Sequence, residues 1–322
     1  MTPWLLLLLA CKHGDPDPLL DTGWFSALDA DGRCVDRIDT TTPVVDTADW
    51  YWRSAVRVKA LTELREMYSV EVFDAFGAPV TGTTTWAGLE ATRSFSAPLA
   101  PDADYTLEAV DCEGRTVIPF RTSSLGQPLD IAPEDLRTRT YVFDLREATW
   151  VQPSDFGVLI SLYFSTPILV GVQWASPQTI DLTGTMGVQL SNGDIAQDPR
   201  QATWNLPATT FEDAPYFEAH GEKISVSAQG SPLDIYNFEI SGTFSADGKV
   251  LGGTRFAGLG DTRAMGEIIG KKGDEAAICD LAAAWGVQCE PCPDGHSTCM
   301  RLIAEDATGT LADGLALSYV AE

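Results

Sequence analysis

The chain has 322 residues, with 46 Asp+Glu against 21 Lys+Arg and a formal net charge of −25. Apolar residues make up 44% and charged residues 21%, enough to bury a core in each of two domains of ordinary size, which excludes a disordered chain. The acidity excludes nucleic acid as a partner, because a phosphate backbone is held by basic density.

The chain opens Met1-Thr2-Pro3-Trp4, then five leucines from Leu5 to Leu9, then Ala10-Cys11. A short apolar run ending in a small residue reads as an export signal. It falls far short of the roughly 20 residues a membrane-spanning helix needs. The quartet Leu8-Leu9-Ala10-Cys11 resembles the lipobox of bacterial lipoproteins. That resemblance implies removal of residues 1–10, lipid attachment at Cys11, and a cell-envelope protein. Its partner would be the membrane, through the N-terminal lipid, at the outer membrane and facing the periplasm or the surface. Residues 11–23, with Gly14, Pro16 and Pro18, read as a polar tether that holds the body off the bilayer.

Cysteine usage agrees with export. Setting Cys11 aside, Cys34, Cys112, Cys279, Cys289, Cys292 and Cys299 form an even set that suits disulfides in an oxidising compartment. Four of them crowd near the C-terminus, which leaves Cys34 and Cys112 as the distant pair. Joined, they would close a loop of about 78 residues and stabilise by roughly 4 kcal/mol.

From Trp24 onward short strands alternate with turn signals. Val56, Val58 and Ala60 alternate with Arg57 and Lys59, and Tyr68, Val70 and Val72 with Ser69 and Glu71. Tyr105, Leu107 and Ala109 alternate with Thr106 and Glu108. Period-two alternation puts one face of a strand on a core and the other in water, and several such strands read as a β-sandwich over residues 24–124. The stretch Leu99-Ala100-Pro101-Asp102-Ala103-Asp104-Tyr105-Thr106-Leu107, followed by Gly114 and Pro119-Phe120-Arg121-Thr122, resembles the final strands of bacterial Ig-like domains of the S-layer type. The resemblance covers roughly residues 43–124. It implies a structural or spacer module at a cell surface, without catalytic residues.

Ser123-Ser124-Leu125-Gly126-Gln127-Pro128 reads as a linker, and residues 129–322 as a second β-domain. Tyr141, Phe143 and Leu145 alternate, the runs 158–164 and 168–174 are of strand length, and Ile224, Val226 and Ala228 alternate again. Tyr236, Phe238 and Ile240 lead through Phe244 to an Asp247-Gly248 hairpin turn, expected as a tight turn with positive φ. Gly184, Gly187, Gly242, Gly252, Gly253 and Gly258 predict bends and bulges in a curved antiparallel sheet, a barrel or a sandwich. One helix is expected from Ala276 to Trp285, capped by Asp274, with Ile278, Leu281 and Trp285 on its inner face and Gly286 closing it. The order of pieces in this domain, including Asp261-Thr262-Arg263 and the cysteine-rich loop, resembles uncharacterised bacterial lipoproteins and implies no activity. The fold class is therefore mainly β, an Ig-like sandwich followed by a larger antiparallel domain with one short helix.

The candidate chemistry is sparse. Cys279, Cys289, Cys292 and Cys299, with His296 among them, allow two structural disulfides, a zinc site or a Cys-x-x-Cys redox pair; export favours the disulfides. Asp29 with Asp31, and Asp102 with Asp104, place carboxylates at i, i+2 but lack the further oxygens of a calcium loop. No Gly-x-Ser-x-Gly, His-Glu-x-x-His or phosphate-loop pattern occurs, and the histidines are His13, His220 and His296. Nine tryptophans read first as core anchors. The sequence thus predicts a lipid-anchored, non-catalytic envelope component with no metal site and no cofactor. Its partner besides the membrane would be an envelope protein or an apolar small molecule. The alternatives are a β-barrel holding a lipid or another apolar ligand and, third, an extracellular carbohydrate-active enzyme.

Overall fold

The structure is a computed structural model and describes residues 37–61, 69–153, 166–228, 231–284 and 286–321. Cys11, Cys34, the tether, Asp29, Asp31, Tyr68, the run 158–164 and Trp285 lie outside the described residues. The chain divides into two compact units after Thr122.

The first unit contains β1 (Ile38–Thr42), β2 (Thr47–Trp50), β3 (Val56–Ala60), β4 (Ser69–Asp74), β5 (Gly82–Ala87), β6 (Glu90–Phe95), β7 (Asp104–Asp111) and β8 (Gly114–Thr122). They form two four-stranded sheets, β1-β3-β6-β5 and β2-β8-β7-β4. All neighbours run antiparallel except β2, which lies parallel to β8. In immunoglobulin lettering the order is A-B-E-D against C-F-G, with the first strand continuing as β2 beside the last, so the unit is an Ig-like sandwich. The alternating residues do what their period demands: Val56, Val58, Val70, Val72, Leu107 and Ala109 all point into one core.

The stretch before β7 builds a corner. The Tyr105 hydroxyl accepts a hydrogen bond from the Ala100 amide at 2.8 Å, and its ring stacks on Phe120 with centroids 5.7 Å apart. Thr122 closes the same corner, its hydroxyl donating to Ala100 O at 2.7 Å and accepting from the Ala103 amide at 2.9 Å. A tyrosine tied to backbone a few residues upstream is a recurrent device of Ig-like domains. Between the sheets, buried Arg93 on β6 donates to Glu71 of β4 at 2.8 Å and to Val80 O at 3.1 Å, a charged cross-tie.

The second unit contains β9 (Thr140–Phe143), β10 (Thr149–Gln152), β11 (Ile168–Ala175), β12 (Thr179–Gln189), β13 (Ile195–Gln197), β14 (Trp204–Thr210), β15 (Tyr216–Ala228), β16 (Ser231–Phe244), β17 (Val250–Asp261), α1 (Ala277–Ala283) and β18 (Cys299–Leu311). Ten strands make one antiparallel sheet in the order β13-β12-β11-β9-β18-β17-β16-β15, with β14 also on β12 and β10 also on β18. The sheet curls until its ends approach: Thr209 of β14 donates its hydroxyl to Glu218 O of β15 at 2.7 Å. Between barrel and sandwich, the outcome is this curled sheet around one core.

Aromatic rings fill the curl. Tyr141, Phe211 and Phe217 surround Phe244 with centroids 5.4 to 6.0 Å away, while Phe143 meets Phe256 edge-on at 5.2 Å. Tyr141 donates its hydroxyl to Gly248 O at 2.7 Å, and burial pushes its phenol pKa well above the ordinary value. Two glycines serve this packing directly. A Cβ at Gly184 would run into the Trp204 ring, and one at Gly309 into the Phe143 ring.

Four expectations are corrected. Only Gly248 of the Asp247-Gly248 pair has positive φ, at +65°, because the hairpin closes on a longer loop. In that loop Gly248 N donates to Ser245 O, and Asp247 accepts from Lys249 N. Tyr236 does not share the face of Phe238 and Ile240: the strand register shifts between Tyr236 and Glu239, where Asn237 adopts φ +48°, and Tyr236 turns outward onto Leu259, Cys292 and Cys299. In α1 the buried face is Ala277, Ile278 and Ala282, while Leu281 is 36% exposed. That face is fixed by the helix docking through its small alanines. The expected Asp274 cap is not made either: the residue before the helix is Ala276, with no side-chain cap hydrogen bond, and Asp274 accepts only from the Ala276 amide at 3.2 Å.

Candidate functional site

The four C-terminal cysteines form two disulfides, Cys279–Cys289 and Cys292–Cys299. The halves of the Cys-x-x-Cys motif therefore bond to different partners. Neither a redox pair nor a thiolate zinc site is left, and all four sulfurs act structurally. The loop they staple is held from several sides. Glu290 and Cys299 exchange backbone hydrogen bonds at 2.7 and 3.1 Å, and Arg301 grips Glu290 at 2.6 and 3.0 Å. Arg301 thereby holds the Glu290 carboxyl below its usual range. Arg263 bridges Asp261 and Asp294, the latter at 2.7 Å. His296 lies on this loop, its amide donating to Asp294 at 3.1 Å. Cys112, at the β7–β8 turn, is also disulfide-bonded, while Cys34 lies outside the described residues. Disulfides of this kind form and persist in oxidising, non-cytoplasmic compartments.

On the first unit, an open groove of about 800 Å³ runs over the outer face of β2-β8-β7-β4. Of its charged groups, Arg121 pairs with Asp102 at 3.0 Å and Asp104 at 2.7 Å, and Arg115 with Glu108 at 3.2 Å, while Asp46 and Asp74 also line it. The i, i+2 carboxylates Asp102 and Asp104 thus clamp an arginine. Phe76, between the lining residues Ala75 and Gly77, is 95% exposed.

Within the curled sheet, Leu145, Trp150, Trp204, Phe238 and Phe256 line an apolar cavity of about 30 Å³. That is room for one water-sized molecule, against the roughly 300–1,000 Å³ of ordinary ligand pockets. Of the tryptophans, Trp204 is a core anchor, and Trp174 is 49% exposed with the Arg137 guanidinium 3.5 Å over its ring.

One polar cluster was only half legible in the sequence. On the outer face of β15, Glu218 and His220 stand two residues apart, and His220 lies directly opposite Glu239 of β16. One ligand atom from each comes within 4.8 Å of the other two. His220 Nε2 lies 3.1 Å from Glu218 Oε1, and the Tyr216 hydroxyl donates to Glu218 Oε2 at 3.1 Å. Arg255 of β17 pairs with Glu239 and lies 3.7 Å from Glu305 of β18. The Glu-x-His spacing was the available sequence signal, but the third member comes only through the hairpin register.

No family model and no curated protein matches the chain. Among solved structures, L,D-transpeptidase 1 of Mycobacterium tuberculosis is similar over 51% of this chain and 90% of that chain, with 11% identity and a TM-score of 0.24. An L,D-transpeptidase from Mycobacterium smegmatis is similar over 54% of this chain and 75% of that chain, with 10% identity and a TM-score of 0.22. Likeness at this level does not extend to activity.

Proposed function

We propose that the chain is an exported, lipid-anchored and non-catalytic component of a bacterial cell envelope, held at the outer membrane through Cys11. In this reading the Ig-like sandwich is a spacer or binding module, and the curled-sheet domain a stapled body facing the periplasm or the surface. The observation that carries it is the state of the sulfurs: each described cysteine, Cys112, Cys279, Cys289, Cys292 and Cys299, is in a disulfide. Such a framework belongs to exported proteins. Among the described residues no helix is long and apolar enough to cross a membrane, so attachment would rest on the lipid. The filled interior of the curled sheet favours this reading over a barrel that holds an apolar ligand.

The test is fractionation of cells expressing the chain with its own leader. The wild type is expected in the membrane fraction and the Cys11→Ala form in the soluble fraction. Equal membrane retention of both would remove the lipid anchor. Denatured without reductant, the exported protein is expected to show no titratable thiol; several free thiols would remove the disulfide framework.

A further inference from the structure

The geometry points to a surface-exposed binding site for a borderline divalent cation, of which Zn²⁺ is the type, formed by Glu218, His220 and Glu239. The placement follows from strand geometry. Residues i and i+2 share a face, and a directly opposite cross-strand neighbour brings its Cβ to roughly 4.5–5.5 Å. Glu218 and His220 meet the first condition, and His220 and Glu239 the second. The three donor atoms converge within 4.8 Å, close enough for a small rotamer adjustment to bring all of them onto one ion.

The donor set selects the class of ion. Calcium and magnesium prefer all-oxygen surroundings, whereas one imidazole with two carboxylates suits zinc and its first-row neighbours. Three protein ligands leave the fourth tetrahedral position for water or for a group on another molecule. His220 and Glu218 have side chains 62% and 47% exposed, so the ion would be reachable from solvent. The surroundings are built as second shells are. Tyr216 orients the Glu218 carboxylate, and Arg255, shared between Glu239 and Glu305, pairs with Glu239. Arg255 also competes with the cation for Glu239, which sets a direction for its removal.

The test is calorimetric titration of the purified, disulfide-intact protein with Zn²⁺ and, separately, with Ca²⁺. Saturable binding of one Zn²⁺, with Ca²⁺ at least tenfold weaker, is expected. His220→Gln and Glu239→Gln should each weaken Zn²⁺ binding by about tenfold or more, Tyr216→Phe by about tenfold, and Arg255→Met should strengthen it. His296→Gln, on the stapled loop, should leave it unchanged. Circular dichroism of each variant establishes that the fold survives. Absence of zinc binding by the folded wild type, or binding that persists in folded His220→Gln, would overturn the site.

Discussion

The two units solve the same problem, burying one face of many strands, by different routes. The sandwich lays two sheets against each other, so each strand has one clear inner face and its core is largely valine, alanine and leucine. The curled sheet packs mainly against itself, with Leu136, Met265, Ile278 and Ala282 added from outside the strands, and fills the space with Tyr141, Phe143, Phe211, Phe217, Phe244 and Phe256. Phe143 and Trp204 come so close to the backbone at Gly309 and Gly184 that a Cβ there would meet their rings. The sandwich is held at its edges by hydrogen-bonded corners, at Tyr105 and Thr122. The curled unit carries one staple outside the main core, where Cys292 and Cys299 sit with Leu259 and Tyr236, while Cys289 of the other packs against that core. A sandwich therefore tolerates small side chains because two layers share the work, while a single curled layer depends on large rings at a few positions.

The largest expected effect tests that dependence. Phe143→Ala removes a fully buried ring that meets Phe256 and covers Gly309, and should destabilise the second unit by about 3–5 kcal/mol. In denaturant titration followed by hydrogen exchange, amides of β9, β17 and β18 should lose protection first. A loss under 1 kcal/mol would show that the curled core collapses around the void and that the contrast with the sandwich is overstated.

Next come the staples. Cys279 and Cys289 are 10 residues apart and Cys292 and Cys299 are 7, and loops this short stabilise by about 2–3 kcal/mol each on the chain-entropy model. Replacing either pair with serine should lower the unfolding free energy of the second unit by that amount while leaving the aromatic core in place. Retention of near-ultraviolet circular dichroism by the serine variants would separate staple from core; its loss would show that the cluster on Leu259 is part of the core.

Much of this contrast was legible in the residues. Alternation located β3 and β7, because each has one wet face, and picked out Tyr141 and Phe143 in β9 although Thr140 on its other face is buried too. It failed where both faces are covered. In β12 the run from Leu182 to Gly187 is buried throughout, and Thr and Gly carry no amphipathic signal. The tail after β18 adds cover nearby, with Leu317 over Gly171 and Val320 hydrogen-bonded to Thr203. A single bulge at Asn237 turned Tyr236 to the other side, a shift that no periodicity announces. The His220 cluster was half legible, since Glu218 and His220 are sequence neighbours but Glu239 depends on register across the β15–β16 hairpin.

On the sandwich side, Tyr105→Phe keeps the ring on Phe120 and removes only the hydroxyl that accepts from Ala100. The expected loss is about 1 kcal/mol in equilibrium unfolding, the ordinary net value of one hydrogen bond. A loss of 3 kcal/mol or more would mean that the corner, rather than the aliphatic core, dominates the first unit. An undetectable change would mean that it only fixes the path of the chain into β7.

The smallest effect concerns how strands end. In the first unit Asp74 and Asp111 cap backbone amides, Asp74 those of Phe76 and Ala78, Asp111 those of Glu113 and Gly114. In the second, β9, β13 and β17 each end at an Asp-x-Arg in which the acid also clamps the arginine two residues on: Asp144 with Arg146, Asp198 with Arg200, Asp261 with Arg263. The arginine side chain, through its hydrogen bonds to the carboxylate, holds Asp144 and Asp198 below the usual carboxylate range. A carboxyl whose folded pKa is depressed contributes stability that is fully present above its unfolded value near 3.9 and is lost as pH falls through the lower folded value. The second unit should therefore hold a constant melting temperature from pH 7 to about 5 and lose stability below about pH 4. Asp198→Asn should flatten that acid limb. Because Arg200 is 79% exposed, solvent screens its clamp at neutral pH, as for other solvated pairs. An acid limb unchanged in Asp198→Asn would mean that neither the clamp on Arg200 nor the hydrogen bond from its amide sets the acid sensitivity of the second unit, and that its strand ends are no more pH-dependent than those at Asp74 and Asp111 in the sandwich.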